Sequence, residues 1–302
     1  MKIVLVLWVF FWVGSSLEAK TLAGIDESKC KYFLSIGAIF QDEAPYLKEW
    51  IEFHRLVGVK HFYLYNNNSR DQYKEVLDPY VKKGIVELFE WPTAPDHFLP
   101  ATQELVYNDC IEKCVGKTKW LAVIDVDEFM VPVDRSTVTD FLKSIEKCKK
   151  KGHREIAGVM MFWQIYGTSN CKAIPKNKLL VECLTKKAEV NFGWNHQVKS
   201  ICKPHAVRRY AVHGAHYKPG FRAVTSSLQS HAGQTVQINR IRLNHYWTRD
   251  EDFFLNVKIP RREIFEGKKY TQEAIQDYYN TFNKVEDKIM DRFVPRLKKR
   301  ML

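Results

Sequence analysis

The sequence predicts an α/β fold: a mostly parallel sheet covered by helices on both faces, continued by an antiparallel extension. Three observations predict it. From residue 32 to residue 125, short apolar runs alternate with segments of helical period. The connections between them are a few residues long, the pattern of strands that run parallel through crossover helices. After residue 155 the alternation stops, and shorter extended pieces follow one another.

The elements can be justified in order. "YFLSIGAIF" (32–40) reads as the first strand. Asp42 is placed to cap the helix that follows, and Pro45 suits its first turn. Leu47, Trp50, Ile51, His54 and Val57 recur at helical spacing until Gly58 ends the run. "VKHFYLY" (59–65) is a second strand, followed by the polar loop "NNNSRD". Tyr73, Val76, Leu77, Tyr80 and Val81 give a second helix, stopped by Gly84. "IVELFEW" (85–91) is a third strand, residues 101–115 a third helix, and a fourth strand ends at Asp125. "EIAGVMMFWQIYG" (155–167) is one long strand, with extended pieces expected at 178–184, 197–202 and 209–217. The main domain is expected over 30–265, with 266–302 a charged helical segment. Ligands of such sheets collect outside the carboxyl ends of the strands. Asp42, the "NNNS" loop and Asp125–Glu128 all follow strands at that end, so three polar loops should share one rim.

Composition narrows the class. Hydrophobic residues make up 45% of the 302 and charged residues 27%, an ordinary globular balance without repeats or low complexity. The formal net charge is +12, which suits anionic ligands such as nucleotides, phosphates or acidic lipid surfaces. The runs "KCKKKGHR" (147–154) and "RLKKR" (296–300) lack interleaved aromatics and read as solvated surface, so no nucleic-acid partner is expected. Lys2, the apolar run Ile3–Val13 and the small residues up to Ala19 read as a signal peptide or a short membrane anchor over 1–19. That places the protein in the secretory pathway or cell envelope, lumenal or membrane-associated, with the cytoplasmic face as the alternative. Seven cysteines suit an oxidising compartment, and their odd number leaves at least one unpaired within the chain. Cys110 and Cys114 lack the second cysteine pair a zinc site needs.

The chemistry concentrates in "KWLAVIDVDEFMVP" (119–132). Asp125, Asp127 and Glu128 crowd the end of a buried strand, where mutual repulsion and desolvation must be offset. A D-x-D pair supplies hard oxygen ligands for Mg²⁺ or Mn²⁺, which would also neutralise a departing diphosphate. An EF-hand loop from Asp125 would need Gly and Glu where Met130 and Ser136 stand, so that reading fails. A phosphatase of the haloacid dehalogenase type also carries D-x-D, but with Thr or Val where this chain has Phe129 and on its first strand; it is the runner-up. Trp163, Tyr166, Trp194, His196, His213, His216, His245 and Trp247 are dense in the second half, a fitting surface for sugar rings.

"SIGAIFQDEAPYLKEWIEFHRLVGVKHFYLYNNNSRD", "KWLAVIDVDEF", "WQIYGTSN" and "LNHYWTRDEDF" resemble, in order and spacing, glycosyltransferase family 92 over residues 31–262. In the third block the family more often reads Phe-Gly-Ser-Ser than "IYGTS". The resemblance implies a GT-A-like, Rossmann-type fold, a UDP-hexose donor (often UDP-galactose), a glycan acceptor, Mn²⁺ dependence and inversion at the anomeric carbon. By position it puts Asp127 and His245 on the metal, with Asp125 near the ribose or the metal. It puts Asp42, Glu43, Asn66, Asn67, Asn68 and Asp71 around the uridine, and Lys199, Lys258 and Arg261 near the diphosphate. A single displacement needs a carboxylate as general base. Glu182, Glu189, Glu251 and Asp252 come late enough in the chain, and the spacing from His245 favours Glu251. A glycan-binding descendant without catalysis is the rival from another class.

Overall fold

The computed structural model describes residues 25–94, 101–148, 154–230 and 235–302; the leader expected at 1–19 lies outside them. Strand β1 (Tyr32–Phe40) leads into α1 (Ala44–Leu56), β2 (His61–Asn66), α2 (Tyr73–Lys82), β3 (Val86–Glu90), α3 (Ala101–Cys114) and β4 (Thr118–Val123). β1 pairs in parallel with β2 and β4, and β2 in parallel with β3. The chain then makes β5 (Glu128–Pro132), α4 (Val138–Glu146) and the long β6 (Glu155–Ile165). After the helical turn α5 (Leu180–Cys183) come β7 (Lys186–Lys187), β8 (Val198–Cys202), β9 (Val207–Ala211), β10 (Gly214–Tyr217), β11 (Phe221–Thr225) and β12 (Ile241–His245). The main sheet runs β3-β2-β1-β4-β8-β6-β12-β5, with β11 also pairing β6. β8 lies antiparallel between β4 and β6 and so begins the antiparallel continuation that the broken alternation predicted.

The helical periods predicted from sequence are the buried faces. Leu47, Trp50, Ile51 and His54 of α1 are buried, as are Tyr73, Leu77 and Tyr80 of α2. Glycine is required where α3 lies on β1, because a Cβ on Gly37 would sit 2.4 Å from Cys110 Sγ. Three local expectations are corrected. Asp42 does not cap α1: its own φ is +54°, and Asp71 Oδ2 accepts from Ala44 N instead, at 2.7 Å across two loops. Residues 178–184 are not extended, because Glu49 of α1 accepts from the amides of Leu180 and Val181 and winds them into α5. Residues 209–217 form not one strand but the hairpin of β9 and β10.

The C-terminal part contains α6 (Glu251–Phe253), a π-helical turn (Phe254–Lys258), α7 (Ile259–Glu266), α8 (Gln272–Phe282), β13 (Val285–Glu286) and α9 (Val294–Met301). β13 pairs with β7, and Phe293 and Leu297 are buried in the main core with α1. All seven cysteines are free thiols. Among the described residues no helix is long and apolar enough to cross a membrane.

Candidate active site

The ends of β1, β2, β4, β6 and β12 and the start of β8 surround a cleft of about 340 Å³. It lies at the carboxyl ends of the parallel strands, where the fold gathers its polar loops. Asp125 and Asp127 enter it from the turn between β4 and β5.

The third acid explains how that turn is built. Glu128 is fully buried, its Oε2 accepts from Asp125 N at 2.8 Å, and its own N donates to Asp125 O at 3.1 Å. Burial drives its carboxyl well above the usual range; Lys199 opposes this, while Asp125 and Asp127 add to it. Glu128 is therefore a structural acid that ties the turn through both its side chain and its backbone and so presents the two aspartates.

Asp125 lines the cleft while pairing with groups on its inner wall. Its Oδ2 lies 3.0 Å from Lys199 Nζ, and its Oδ1 accepts from Tyr107 Oη at 2.7 Å. Burial works against the Lys199 ammonium, but Asp125 and Glu128 outweigh it and raise its pKa.

Asp127 meets His245. Nε2 of His245 is 3.4 Å from Asp127 Oδ1, and Lys258 Nζ is 3.5 Å from Oδ2. β12 sets this geometry, because His245 is in register with Glu128 of β5 and Ile165 of β6. The imidazole also meets Trp163 edge to face, 4.6 Å between centroids. Burial pushes Asp127 upward, yet His245 and Lys258 prevail and hold its carboxyl well below the usual carboxylate range.

The Asp127–His245 pair fits a divalent cation. A separation of 3.4 Å is long for a hydrogen bond. Two ligands of one octahedral ion with bonds of about 2.1 Å stand about 3 Å apart, close to this spacing. Among the described residues no group of three or more His, Cys, Asp or Glu forms a ready metal site. The expected trio of Asp125, Asp127 and His245 is thus not assembled, because the buried ammonium of Lys199 claims Asp125. A cation held by two protein groups leaves positions for substrate phosphate and water, the usual mode for Mg²⁺.

The other predicted residues divide. Glu43, Asn67, Lys199, Lys258 and Arg261 line the cleft. Asn66 does not: its amide donates to Tyr73 Oη and Glu90 Oε2. Asn67 and Asn68 donate to Trp91 O and Thr93 O, and Asp42 Oδ1 accepts from Arg70 N. With Asp71 capping α1, Asp42, Asn66, Asn68 and Asp71 hold these loops together and do not line the cleft, while Asn67 both bridges to Trp91 and lines it.

None of the four acids expected as candidate general bases lines the cleft. Glu182 pairs with Lys298 of α9, and Glu189 with Lys284. Glu251 and Asp252 open α6, their amides held by the carbonyls of Cys171 and Lys172. Asp250, whose Oδ1 accepts from Phe253 N, caps that helix, so closeness to His245 in sequence does not bring Glu251 to the cleft.

Sequence reasoning missed Tyr107 and Arg249. Arg249 is buried at φ +53°, rare for a bulky side chain, with its guanidinium 3.6 Å from the Tyr46 ring centroid and 4.5 Å from that of Phe253. Its Nη2 pairs with Glu43. A lone arginine in "WTRDEDF" carries no signal of that partner 206 residues away.

The chain matches the model of glycosyltransferase family 92 over residues 31–293. It is 26% identical over 258 residues to a family 92 protein of Ricinus communis, covering 83% of this chain and 40% of that one. It is 33% identical over 126 residues to a galactan beta-1,4-galactosyltransferase of Arabidopsis thaliana, covering 39% and 25%. Its backbone is similar to glucosyl-3-phosphoglycerate synthase from Mycobacterium tuberculosis, solved with Mn²⁺, UDP and glucosyl-3-phosphoglycerate. There the TM-score is 0.33 and the identity 11%, over 61% of each chain. The chain thus spans less than half the length of the first two of these. With a family match that takes in β1 through β13, the chain belongs to glycosyltransferase family 92.

Proposed function

We propose that the protein is a glycosyltransferase that moves a hexose, galactose in the first instance, from a UDP-sugar to a glycan hydroxyl with inversion, using Mn²⁺ or Mg²⁺. The observation that carries the reading is the Asp127–His245 pair, set in the cleft with Lys199, Lys258 and Arg261. Family membership supports transfer chemistry, and relatives named as galactosyltransferases support the sugar. The haloacid dehalogenase reading has no such support.

Each residue has a part in this reading. Asp127 and His245 would hold the cation; an imidazole nitrogen suits Mn²⁺ better than Mg²⁺. The cation supplies charge neutralisation for the diphosphate as it leaves. Lys258, 4.9 Å over the Trp247 ring and 3.5 Å from Asp127, would supply an ammonium to a phosphate oxygen. Arg261 reaches the cleft from α7 while pairing with Asp42 at 3.6 Å. Asn67 and Glu43 line the side on which the nucleoside would lie.

The test is incorporation of labelled hexose from a panel of UDP-sugars into oligosaccharides, with Mn²⁺ and with chelator. Metal-dependent transfer from one UDP-hexose is expected. Binding of glycans without turnover of any nucleotide-sugar would favour a lectin-like protein instead.

A further inference from the structure

With the four acids outside the cleft, the single displacement proposed above lacks a proton acceptor. The carboxylates that do line it are committed: Glu43 to Arg249, Asp125 to Lys199 and Tyr107, Asp127 to His245 and Lys258. The basic side chains are paired too, Arg261 with Asp42 and Arg262 with Glu266. One titratable group in the cleft makes no hydrogen bond or ion pair among the described residues. It is His213, exposed on the turn between β9 and β10.

We infer that His213 is the general base that takes the proton from the acceptor hydroxyl, an assignment that rests on the transferase reading. Its position is built. Lys199 Nζ donates to Val212 O at 3.2 Å while pairing with Asp125, which pins the turn to the first aspartate. The His213 ring meets Trp163 edge to face, 5.5 Å between centroids, and the same indole packs on His245. The candidate base and the candidate metal ligand therefore share one aromatic wall, with open cleft in front of it. A flat indole beside a base is a suitable seat for an acceptor sugar ring.

The charge environment agrees. The groups that act on the ring are Lys199, Asp125 and His245. Partial burial and then Lys199 hold its pKa below the usual histidine range, with Asp125 opposing, so the unprotonated ring predominates at neutral pH. In the step itself the acceptor oxygen forms its bond to the anomeric carbon as the bond from that carbon to the diphosphate oxygen breaks. The bonding pair leaves with UDP, and the hydroxyl proton passes to the free nitrogen of His213. The imidazolium so formed has the Asp125 carboxylate nearby as counter-charge.

The experiment compares His213→Ala and His213→Gln with wild type in two assays: UDP binding with Mn²⁺ by calorimetry, and sugar transfer. Both variants should bind UDP within a few-fold of wild type, which also reports an intact fold. Transfer should fall by roughly 10²–10⁴, the usual worth of general-base catalysis. Free imidazole should restore part of the rate to the alanine variant, a rescue that a purely structural role would not show. Transfer within a few-fold of wild type in either variant overturns the assignment and leaves the transferase reading standing. So does a loss of transfer matched by an equal loss of UDP affinity. A wild-type protein that transfers from no UDP-sugar overturns both.

Discussion

Lys199 Nζ lies 3.0 Å from Asp125 Oδ2, and the lysine is only 1% exposed. Neither charge stands without the other, since removing one partner of a buried pair leaves an uncompensated ion. Lys199→Met should destabilise the protein by about 2–3 kcal/mol, below the full buried-pair value because Asp125 is partly exposed. Adding Asp125→Asn should recover much of that loss. Urea unfolding of the two single variants and the double variant measures the coupling; strictly additive losses would contradict it.

Burial raises the pKa of Glu49 to about 7, while the amides of Val181 and Leu180 pull the other way. Its folded-state pKa lies above the unfolded one, so its contribution is present in full at low pH and is lost as pH rises towards 7. The lost part is of order 3 kcal/mol. Glu49→Gln keeps an acceptor for one amide and removes this slope. The difference in unfolding free energy between variant and wild type should therefore shift in the variant's favour from pH 4.5 to pH 7.5. A pH-independent difference would show that Glu49 is charged in the folded state throughout.

Glu251→Gln and Asp252→Asn should leave transfer within a few-fold of wild type, because neither side chain lines the cleft. Glu182→Gln and Glu189→Gln should behave the same way, since those acids make exposed or half-exposed ion pairs worth about 1 kcal/mol or less. A collapse of transfer in any of the four, with UDP affinity kept, would return the base to that residue.

Arg249→Lys should not be a conservative change. An ammonium cannot stack between Tyr46 and Phe253 and also meet Glu43 with the planar geometry of a guanidinium. We expect a loss of about 2 kcal/mol in chemical unfolding, the scale of a desolvated cation–π contact. Stability equal to wild type would mean the stacking contributes nothing.

How much of this was legible beforehand depends on the range of the interaction. The first four strands and three helices follow from local periodicity, and so does the rim on which Asp125 and Asp127 lie. His245 needed the family resemblance, because only β12 pairing with β5 and β6 brings it to Asp127. Residues 178–184 read as extended because the cap that winds α5 comes from Glu49, 131 residues earlier in the chain. The asparagine loop shows no local sign of its structural partners, because Glu90, Trp91 and Thr93 lie beyond the following helix. Polar residues at a strand end mark a rim, but only tertiary pairing decides which of them face the ligand.

In the proposed reading, Asp127 and His245 hold the cation that lets the cleft bind a nucleotide diphosphate. Titration calorimetry of UDP, with Mn²⁺ and with chelator, tests it on wild type, Asp127→Asn and His245→Ala. Wild type should bind UDP with Mn²⁺ and far more weakly without it. Asp127→Asn should remove the Mn²⁺ dependence, and His245→Ala should weaken metal-dependent binding by about 10–100-fold or more, with both proteins folded. UDP affinity that is the same in all three proteins, or indifferent to Mn²⁺ in wild type, would rule out a cation held by this pair.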